Sequence, residues 1–335
     1  MSVIKPEVSV DPKVMVAEAE KALADISSIK TGIGKVIFGQ ESVIERTLVA
    51  LLAGGHALLV GVPGLAKTKL VETLGTVLGL DERRIQFTPD LMPSDILGSE
   101  IMEQDEHGKR TFRYVKGPVF AQLLMADEIN RASPRTQSAL LQAMQEYHVT
   151  IAGERYDLPQ PFHVLATQNP LEQEGTYPLP EAQLDRFLMQ IDILYPELEA
   201  ERQILLATTG TTEAVAEKII DAERLRAMQN LIRRMPVPEG VVDAILNLVR
   251  AARPGADNEM AKKFISWGPG PRASQALMLC ARARALYDGR LAPSVDDVKA
   301  LAEPVLQHRM ALTFAARADG MNVRDVIGNL TKAAI

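Results

Sequence analysis

The chain has 335 residues, enough for two or three domains, and its 47% hydrophobic content can supply a core that is mostly aliphatic, because aromatic residues make up only 4%. A net charge of −6 gives no global positive field to attract phosphate backbones, which argues against a nucleic-acid-binding protein but leaves a local basic groove open. The one cysteine, Cys280, excludes an intrachain disulfide and suits a reducing compartment, and we expect it to pack on the apolar side of a helix.

The sequence holds no stretch apolar enough to span a membrane, and its first residues lack the apolar core of a secretion signal. We therefore expect a cytoplasmic protein without a membrane span. The five histidines are scattered, and none has metal-ligand spacing to another or to the cysteine. Residues 1–12 predict a flexible arm, residues 13–30 have helical spacing, and a second helix follows the segment 37–40.

The stretch 56–69 has the strongest functional pattern. The apolar run 57–60 suits a buried strand, 61–64 must turn, and a helix begins at Lys67 and Thr68. This is the context of a phosphate-binding loop, because free backbone N–H groups and the positive end of the helix dipole point at the anion. Lys67 would contact the β- and γ-phosphates, and the Thr68 hydroxyl would ligate Mg²⁺. An ordinary glycine turn is the alternative. The residues predicted to bind nucleotide here are Gly61, Val62, Pro63, Gly64, Leu65, Ala66, Lys67, Thr68 and Lys69.

Ala66 departs from the usual phosphate loop, which has glycine before the lysine. Alanine is a good residue at a helix start. The substitution is therefore tolerable if position 66 already has helical backbone angles.

Beyond the loop helix, the pattern predicts a strand over 84–88, a turn-rich run over 89–95 and then a β-hairpin. The hairpin turns at 105–108, and its second strand, 111–115, alternates apolar and polar residues. Such a hairpin is additional to a minimal α/β fold.

A strand over 123–127 places two carboxylates at its C-terminal end, where ligands bind in open α/β sheets. We expect Asp127 to hold Mg²⁺, directly or through water, and Glu128 to orient and activate the attacking water. A strand that merely ends in exposed acids is the alternative. The Lys67 loop in the same chain makes that alternative weaker.

Ser133 is expected to cap a helix with Pro134 in its first position, and a second β-hairpin follows over 149–158. The next buried strand, 162–166, leads to Asn169. At a strand tip, the Asn169 side chain could hydrogen-bond the γ-phosphate or the water, or it could simply cap the turn that follows.

A short helix over 179–187 ends in Arg186, and a strand over 188–193 comes next. Two interpretations of Arg186 stay open at this point. The guanidinium could pair with its neighbours, or it could be an arginine finger given to the nucleotide of the next subunit.

From residue 196 onward we expect helices and no strands. The interruption 267–271 precedes Arg272 at a helix start, which suits an arginine aimed at a phosphate, with a surface ion pair as the alternative. The predicted amphipathic helices cover residues 197–208, 219–235, 239–252, 272–287 and 295–309.

Together these motifs resemble those of the AAA+ ATPases, and the match to the MoxR family is close and covers nearly the whole chain. Alanine before the lysine is common in MoxR proteins, so Ala66 departs from generic loops and not from this family. Many relatives carry an acidic residue where this chain has Val60. The motifs are residues 61–68, 126–131, 166–170, 181–187 and 268–273.

The resemblance implies an α/β fold with an AAA+ P-loop core, a parallel sheet and two β-hairpin inserts over residues 1–195. A helical linker and a smaller all-α lid domain would follow over 196–335. It also implies a ring, expected to be a hexamer, that binds ATP and Mg²⁺ between subunits.

The same resemblance assigns roles to single residues. Arg186 would be supplied in trans, Asn169 matches sensor 1, and Arg272 matches sensor 2, which could act in cis or in trans. With Glu128 and Lys67, Arg186 and Asn169 form the predicted catalytic set. The segment matched to adenine contact supplies Phe38, Gly39 and Gln40.

MoxR proteins are regarded as chaperone-like and help enzyme complexes to mature, often by aiding metal or cofactor insertion, with von Willebrand A partners. This chain has no such domain, so a partner would supply it. The leading hypothesis is an ATP-hydrolysing remodeller that moves its hairpins against a protein client, without nucleic acid.

Two alternatives stay open. A nucleic-acid translocase of the MCM-like branch would use the basic residues near the first hairpin, which are Lys109, Arg110, Arg113 and Lys116. A nucleotide-gated scaffold would hardly hydrolyse ATP, and the presence of both Asp127 and Glu128 argues against it.

Overall fold

The computed structural model describes residues 12–104, 110–172, 174–210, 214–255 and 258–335. The predicted arm 1–12 lies outside these ranges except for residue 12, which already belongs to the first helix. The predicted hairpin turn 105–108 and Lys109 also lie outside them.

The described residues form strands β1 to β11 and helices α1 to α14. The strands are β1 Ala57–Val60, β2 Glu82–Gln86, β3 Gly98–Gln104, β4 Arg110–Lys116, β5 Leu123–Asp127, β6 His148–Ile151, β7 Glu154–Asp157, β8 His163–Gln168, β9 Met189–Asp192, β10 Ile265–Trp267 and β11 Ala311–Leu312. The helices are α1 Pro12–Gly34, α2 Glu41–Leu52, α3 Lys67–Leu78, α4 Pro93–Leu97, α5 Pro134–Glu146, α6 Glu181–Leu184, α7 Leu198–Thr208, α8 Ala222–Arg234, α9 Glu239–Ala251, α10 Glu259–Phe264, α11 Pro271–Tyr287, α12 Val295–Leu306, α13 Phe314–Ala318 and α14 Val323–Ala334.

The central sheet has five parallel strands in the order β2-β5-β8-β1-β9. Strands β1, β5 and β8 are nearly all buried, as expected for apolar strands covered on both faces. The pairing places Gln86 beside Asp127 and Val60 beside Gln168. The carboxyl ends of the three inner strands therefore meet at one edge, where the candidate site forms.

Both predicted hairpins are present, as the antiparallel pairs β3–β4 and β6–β7. The edge strand β2 starts and ends two residues earlier than the predicted 84–88. The ends of this strand were hard to predict from the sequence, because an edge strand carries exposed charged residues such as Arg83 that interrupt the apolar pattern. The predicted cap is confirmed, since the Ser133 hydroxyl accepts the N–H of Thr136.

The expectation that strands are absent after residue 196 is wrong, because β10 and β11 form a small antiparallel pair. Three helices, α10, α13 and α14, also went unpredicted. The first two have only six and five residues, too short for a periodic pattern to stand out. Helix α14 carries Gly328 in its interior, which weakens the local helix propensity.

Two apolar clusters fill the two faces of the sheet. One of them runs without a break from α1, α2 and α3 into helices α8, α9, α11 and α12 of the second half. Cys280 is fully buried in this cluster, which raises the pKa of its thiol to about 12 and confirms its packing role. None of the helices within the described ranges combines the length and apolarity that crossing a bilayer requires.

Ion pairs also link the two halves of the chain. Arg224 of α8 pairs with Asp25 of α1 at 2.5 Å, and Arg284 of α11 pairs with Glu45 of α2 at 3.0 Å. These contacts join helices α8 and α11 to helices α1 and α2.

Candidate nucleotide-binding site

The loop between β1 and α3 folds around the side chain of Lys67. The Lys67 ammonium donates hydrogen bonds to the carbonyl oxygens of Gly61 (2.7 Å) and Val62 (2.9 Å). Partial burial lowers the pKa of Lys67, and the negative charges of Asp127 and Glu128 oppose that shift. The structure thus brings the predicted loop lysine and the two predicted carboxylates into one electrostatic unit.

Ala66 does not have the helical backbone angles under which the sequence would tolerate it easily. Its backbone angles are φ 53° and ψ 26°, which is the left-handed region and not the right-handed helical one. Ala66 is the residue just before α3, so the chain must turn sharply there to aim its N–H groups inward. A left-handed alanine costs about 1–2 kcal/mol, which explains why glycine is usual at this position.

Asp127 is 7% exposed and both of its carboxylate oxygens have partners. Oδ1 accepts a hydrogen bond from the Thr167 hydroxyl at 2.6 Å, and Oδ2 accepts from the Arg84 guanidinium at 2.5 Å. The same Thr167 oxygen accepts the backbone N–H of Glu128 at 2.8 Å. Thr167 therefore fixes the positions of both acidic residues.

Glu128 follows β5 in a left-handed conformation, with φ at 55°. Its Oε2 accepts hydrogen bonds from Gln86 (2.7 Å) and Arg131 (3.0 Å). The turn leaves the carboxylate at the carboxyl edge of the sheet, beside Gln86 at the end of β2. That placement suits a group that handles a water next to a phosphate.

Asn169 lies just beyond β8 and is 7% exposed. Its side-chain oxygen accepts the N–H of Leu171 at 3.1 Å, the turn-capping contact that the sequence left open as an alternative. Contact of its amide with a phosphate or water stays a prediction.

An apolar cavity of about 270 Å³ borders the phosphate loop. Phe38 and Gln40 line it from one side, and Ile204 of α7 lines it from another. Gly39 between them has φ at 66°, and a Cβ there would stand 2.1 Å from the Cβ of Ala200, so only glycine lets this segment approach α7. The other lining residues are Val36, Ile37, Gly64, Leu65, Ala66, Lys69, Pro196, Ala207, Thr208 and Ala214.

The residues at this edge suit a magnesium nucleotide. An apolar cavity fits a base, while the loop N–H groups and Lys67 fit phosphates. The Thr68 hydroxyl and the Asp127 carboxylate are the oxygen ligands that Mg²⁺ prefers. Thr68 and Asp127 would therefore hold the metal.

Arg186 and Arg272 do not lie at this edge. They line a second cleft together with Arg233 of α8, Gly55 and His56. Gly55 and His56 precede β1, whereas the phosphate loop follows it. The two sites are thus at opposite ends of a four-residue strand, about 13 Å long by its rise per residue.

The second cleft is strongly cationic. Burial and the neighbouring Arg272 lower the pKa of Arg186, which makes no ion pair among the described residues. Arg233 likewise forms no ion pair in the described part of the chain. The cleft's Asp185 is already paired with buried Arg309 at 2.7 Å and lies 3.8 Å from Arg272. Arg186 and Arg233 are therefore available for an anion from outside the chain, whereas Arg272 forms the ion pair that the sequence allowed as an alternative.

Sequence reasoning missed four polar residues of these two sites, namely Arg84, Gln86, Thr167 and Arg233. A weak signal existed for Arg84 and Gln86, because alternate residues of a strand share one face. Nothing local marks Arg233, since its place in the cleft depends on how α8 packs against the core.

Comparison with known proteins agrees with this geometry. A profile of the ATPase family associated with various cellular activities (AAA) matches residues 56–189, and one of the AAA lid domain matches residues 258–330. The chain is 43% identical to Chaperone MoxR1 of Mycobacterium tuberculosis over 317 residues, 93% of this chain and 83% of that protein. It is 32% identical to Protein MoxR of Paracoccus denitrificans, over 84% of this chain and 86% of that one. A crystal structure of a putative ATPase from Cytophaga hutchinsonii superposes with a TM-score of 0.88 at 39% identity, covering 96% of this chain and 98% of that one.

Proposed function

The chain belongs to the MoxR family of AAA+ ATPases, and from that premise we propose that it hydrolyses ATP with Mg²⁺ to drive the remodelling of a protein client. The observation that carries the proposal is the convergence of Lys67, Asp127 and Glu128 at the carboxyl edge of the sheet. These are the groups that phosphoryl transfer to water requires.

Each group has a separate task in this proposal. The loop N–H groups and Lys67 bind the phosphates, and bound Mg²⁺ neutralises charge that develops on them. Glu128, held by Gln86 and Arg131, orients the attacking water and takes its proton. The Thr167 hydroxyl holds Asp127 and Glu128 in fixed positions relative to each other.

The arginine cleft supports a site completed by a second subunit. Arg186 stands at the far end of β1 and cannot reach the phosphate loop of its own chain. A head-to-tail contact between copies would bring this cleft to the loop of a neighbour, and repetition of that contact closes a ring. We propose a hexamer in which Arg186 and Arg272 both act in trans. An arginine finger supplies about 10³–10⁵ in rate.

The first hairpin supports a protein client. Met102 and Phe112 face each other across β3 and β4 and are 55% and 71% exposed, an apolar pair that suits a polypeptide. Arg113 of the same hairpin is paired with Glu103 at 2.7 Å, which leaves less positive charge for a nucleic acid. We propose that the client is an enzyme complex under maturation, metal or cofactor insertion included, with a von Willebrand A domain partner.

The test compares ATP binding, ATP turnover and assembly in the wild type and in Glu128→Gln. The variant should bind Mg-ATP and assemble like the wild type, yet release phosphate at least about 10²-fold more slowly, because it lacks the base. Undiminished phosphate release from Glu128→Gln would overturn the role given to Glu128. A wild type that binds no nucleotide would overturn the proposed function itself.

A further inference from the structure

Arg84 contacts the carboxylate that would hold the metal. Its guanidinium donates two hydrogen bonds to Asp127 Oδ2, from Nη2 at 2.5 Å and from Nε at 3.2 Å. The other oxygen, Oδ1, accepts the Thr167 hydroxyl. Both oxygens of the predicted metal ligand therefore have partners already, and the partner of Oδ2 is a cation.

The edge strand β2 places Arg84 there. Alternation along the strand puts Arg84 and Gln86 on one face and Arg83 on the other. Arg84 also donates to Gln86 Oε1 at 3.0 Å, and Gln86 donates to Glu128. One continuous chain of hydrogen bonds thus runs from the metal carboxylate to the catalytic carboxylate.

This pair contributes little to the fold. The Arg84 side chain is 47% exposed, and exposed ion pairs add little stability. Strand β2 is already held by its full parallel register with β5. The exposed guanidinium can move into solvent, and the carboxylate of Asp127, which is 7% exposed, then has room for another cation as its partner.

We propose that Arg84 is a positioning residue that competes with Mg²⁺ for Asp127 and so sets the Mg²⁺ concentration at which the site takes up a metal-bound nucleotide. A guanidinium and a divalent cation beside the same carboxylate repel each other, so each weakens the binding of the other. Metal binding therefore favours the release of Arg84, and a released side chain also loses its contact with Gln86. The inference rests on the proposed Mg-ATP site and adds a competitor to it.

The test measures binding and not turnover. Wild type, Arg84→Gln and the matched control Arg83→Gln are each titrated with Mg²⁺ in the presence of a fixed, subsaturating concentration of fluorescent mant-ADP, and anisotropy reports bound nucleotide. Arg84→Gln should lower the Mg²⁺ concentration at half-maximal binding by about threefold, the ratio that an exposed ion pair supplies. The midpoint of Arg83→Gln should match that of the wild type. The midpoint of Arg84→Lys, which keeps a cation, should lie between those of the wild type and Arg84→Gln.

Three results would overturn the proposal. The first is a midpoint for Arg84→Gln that equals or exceeds that of the wild type. The second is a large loss of mant-ADP affinity for Arg84→Gln in EDTA, which would make Arg84 a phosphate ligand. The third is a wild type whose nucleotide binding ignores Mg²⁺, which would remove the proposed metal site along with its competitor. The first two leave the proposed ATPase standing.

Discussion

The left-handed alanine in the phosphate loop gives a sharp test of the backbone geometry. Ala66 has φ at 53°, and replacing it with glycine removes the clash of its Cβ with the backbone. Relief of a left-handed alanine is worth about 1–2 kcal/mol. Glycine also gives the unfolded chain more freedom, which costs about 0.4–1 kcal/mol. We therefore expect Ala66→Gly to stabilise the protein by about 0.5–1 kcal/mol.

The matched control is an alanine with ordinary helical angles. Ala227 is exposed in the middle of α8, and Ala227→Gly should destabilise the protein by about 1 kcal/mol. The assay is thermal unfolding without nucleotide, followed by circular dichroism for both variants and the wild type. A gain of about 1 °C for Ala66→Gly and a loss of about 1–2 °C for Ala227→Gly are expected.

The signs of the two shifts in melting temperature show which backbone conformation Ala66 has in solution. If Ala66→Gly lowered the melting temperature as much as Ala227→Gly does, position 66 would have right-handed angles in solution. Backbone strain at Ala66 could then no longer account for the usual preference for glycine before the loop lysine.

Two further predictions concern buried polar groups. Thr167→Val keeps the shape of the side chain but leaves Glu128 N–H without its acceptor, so we expect a loss of about 1–3 kcal/mol in unfolding free energy and slower ATP turnover, measured by denaturation and phosphate release. Burial lowers the pKa of His163 to about 4, so the unfolded chain binds a proton that the folded one refuses as pH falls from about 6.5 toward 4. The free energy of unfolding should decrease across that pH window. Melting curves at several pH values should show that the unfolding free energy of His163→Gln depends less steeply on pH than that of the wild type, by about 1 kcal/mol per pH unit.

Two outcomes would contradict these predictions. An equal slope in His163→Gln and the wild type would mean that His163 does not stay neutral in the fold. Wild-type turnover by Thr167→Val would show that this hydroxyl does not position Glu128.

The sequence alone was enough to predict the strand, turn and helix of the phosphate loop, because apolar runs of fixed length and glycines are local signals. It also predicted that Asp127 and Glu128 would meet Lys67. It was silent on Arg84 and Thr167, because their contacts with Asp127 depend on the order and register of three strands that are distant in the chain. The strands β10 and β11 were not predicted for a related reason. Strands of two or three residues form only when they pair with each other.

The position of Arg186 shows a different limit. Both interpretations of this residue fitted the sequence. The fold places Arg186 at the end of β1 opposite the phosphate loop, too far away to reach the loop of its own chain. The Arg186 side chain has no carboxylate partner within the described residues, so the pairing with its neighbours that the sequence also allowed is not formed there.

The central claim, that one subunit's loop is completed by another subunit's arginine, is tested most directly by mixing two inactive variants. Lys67→Ala lacks the phosphate-binding lysine but keeps its arginines, and Arg186→Ala lacks the finger but keeps its loop. In an equal mixture that exchanges subunits, about one quarter of the pockets should combine an intact loop with an intact arginine. The account predicts that ATPase activity reappears on mixing, up to about one quarter of the wild-type rate. Mixed assemblies that form and stay as inactive as the separate variants would contradict it.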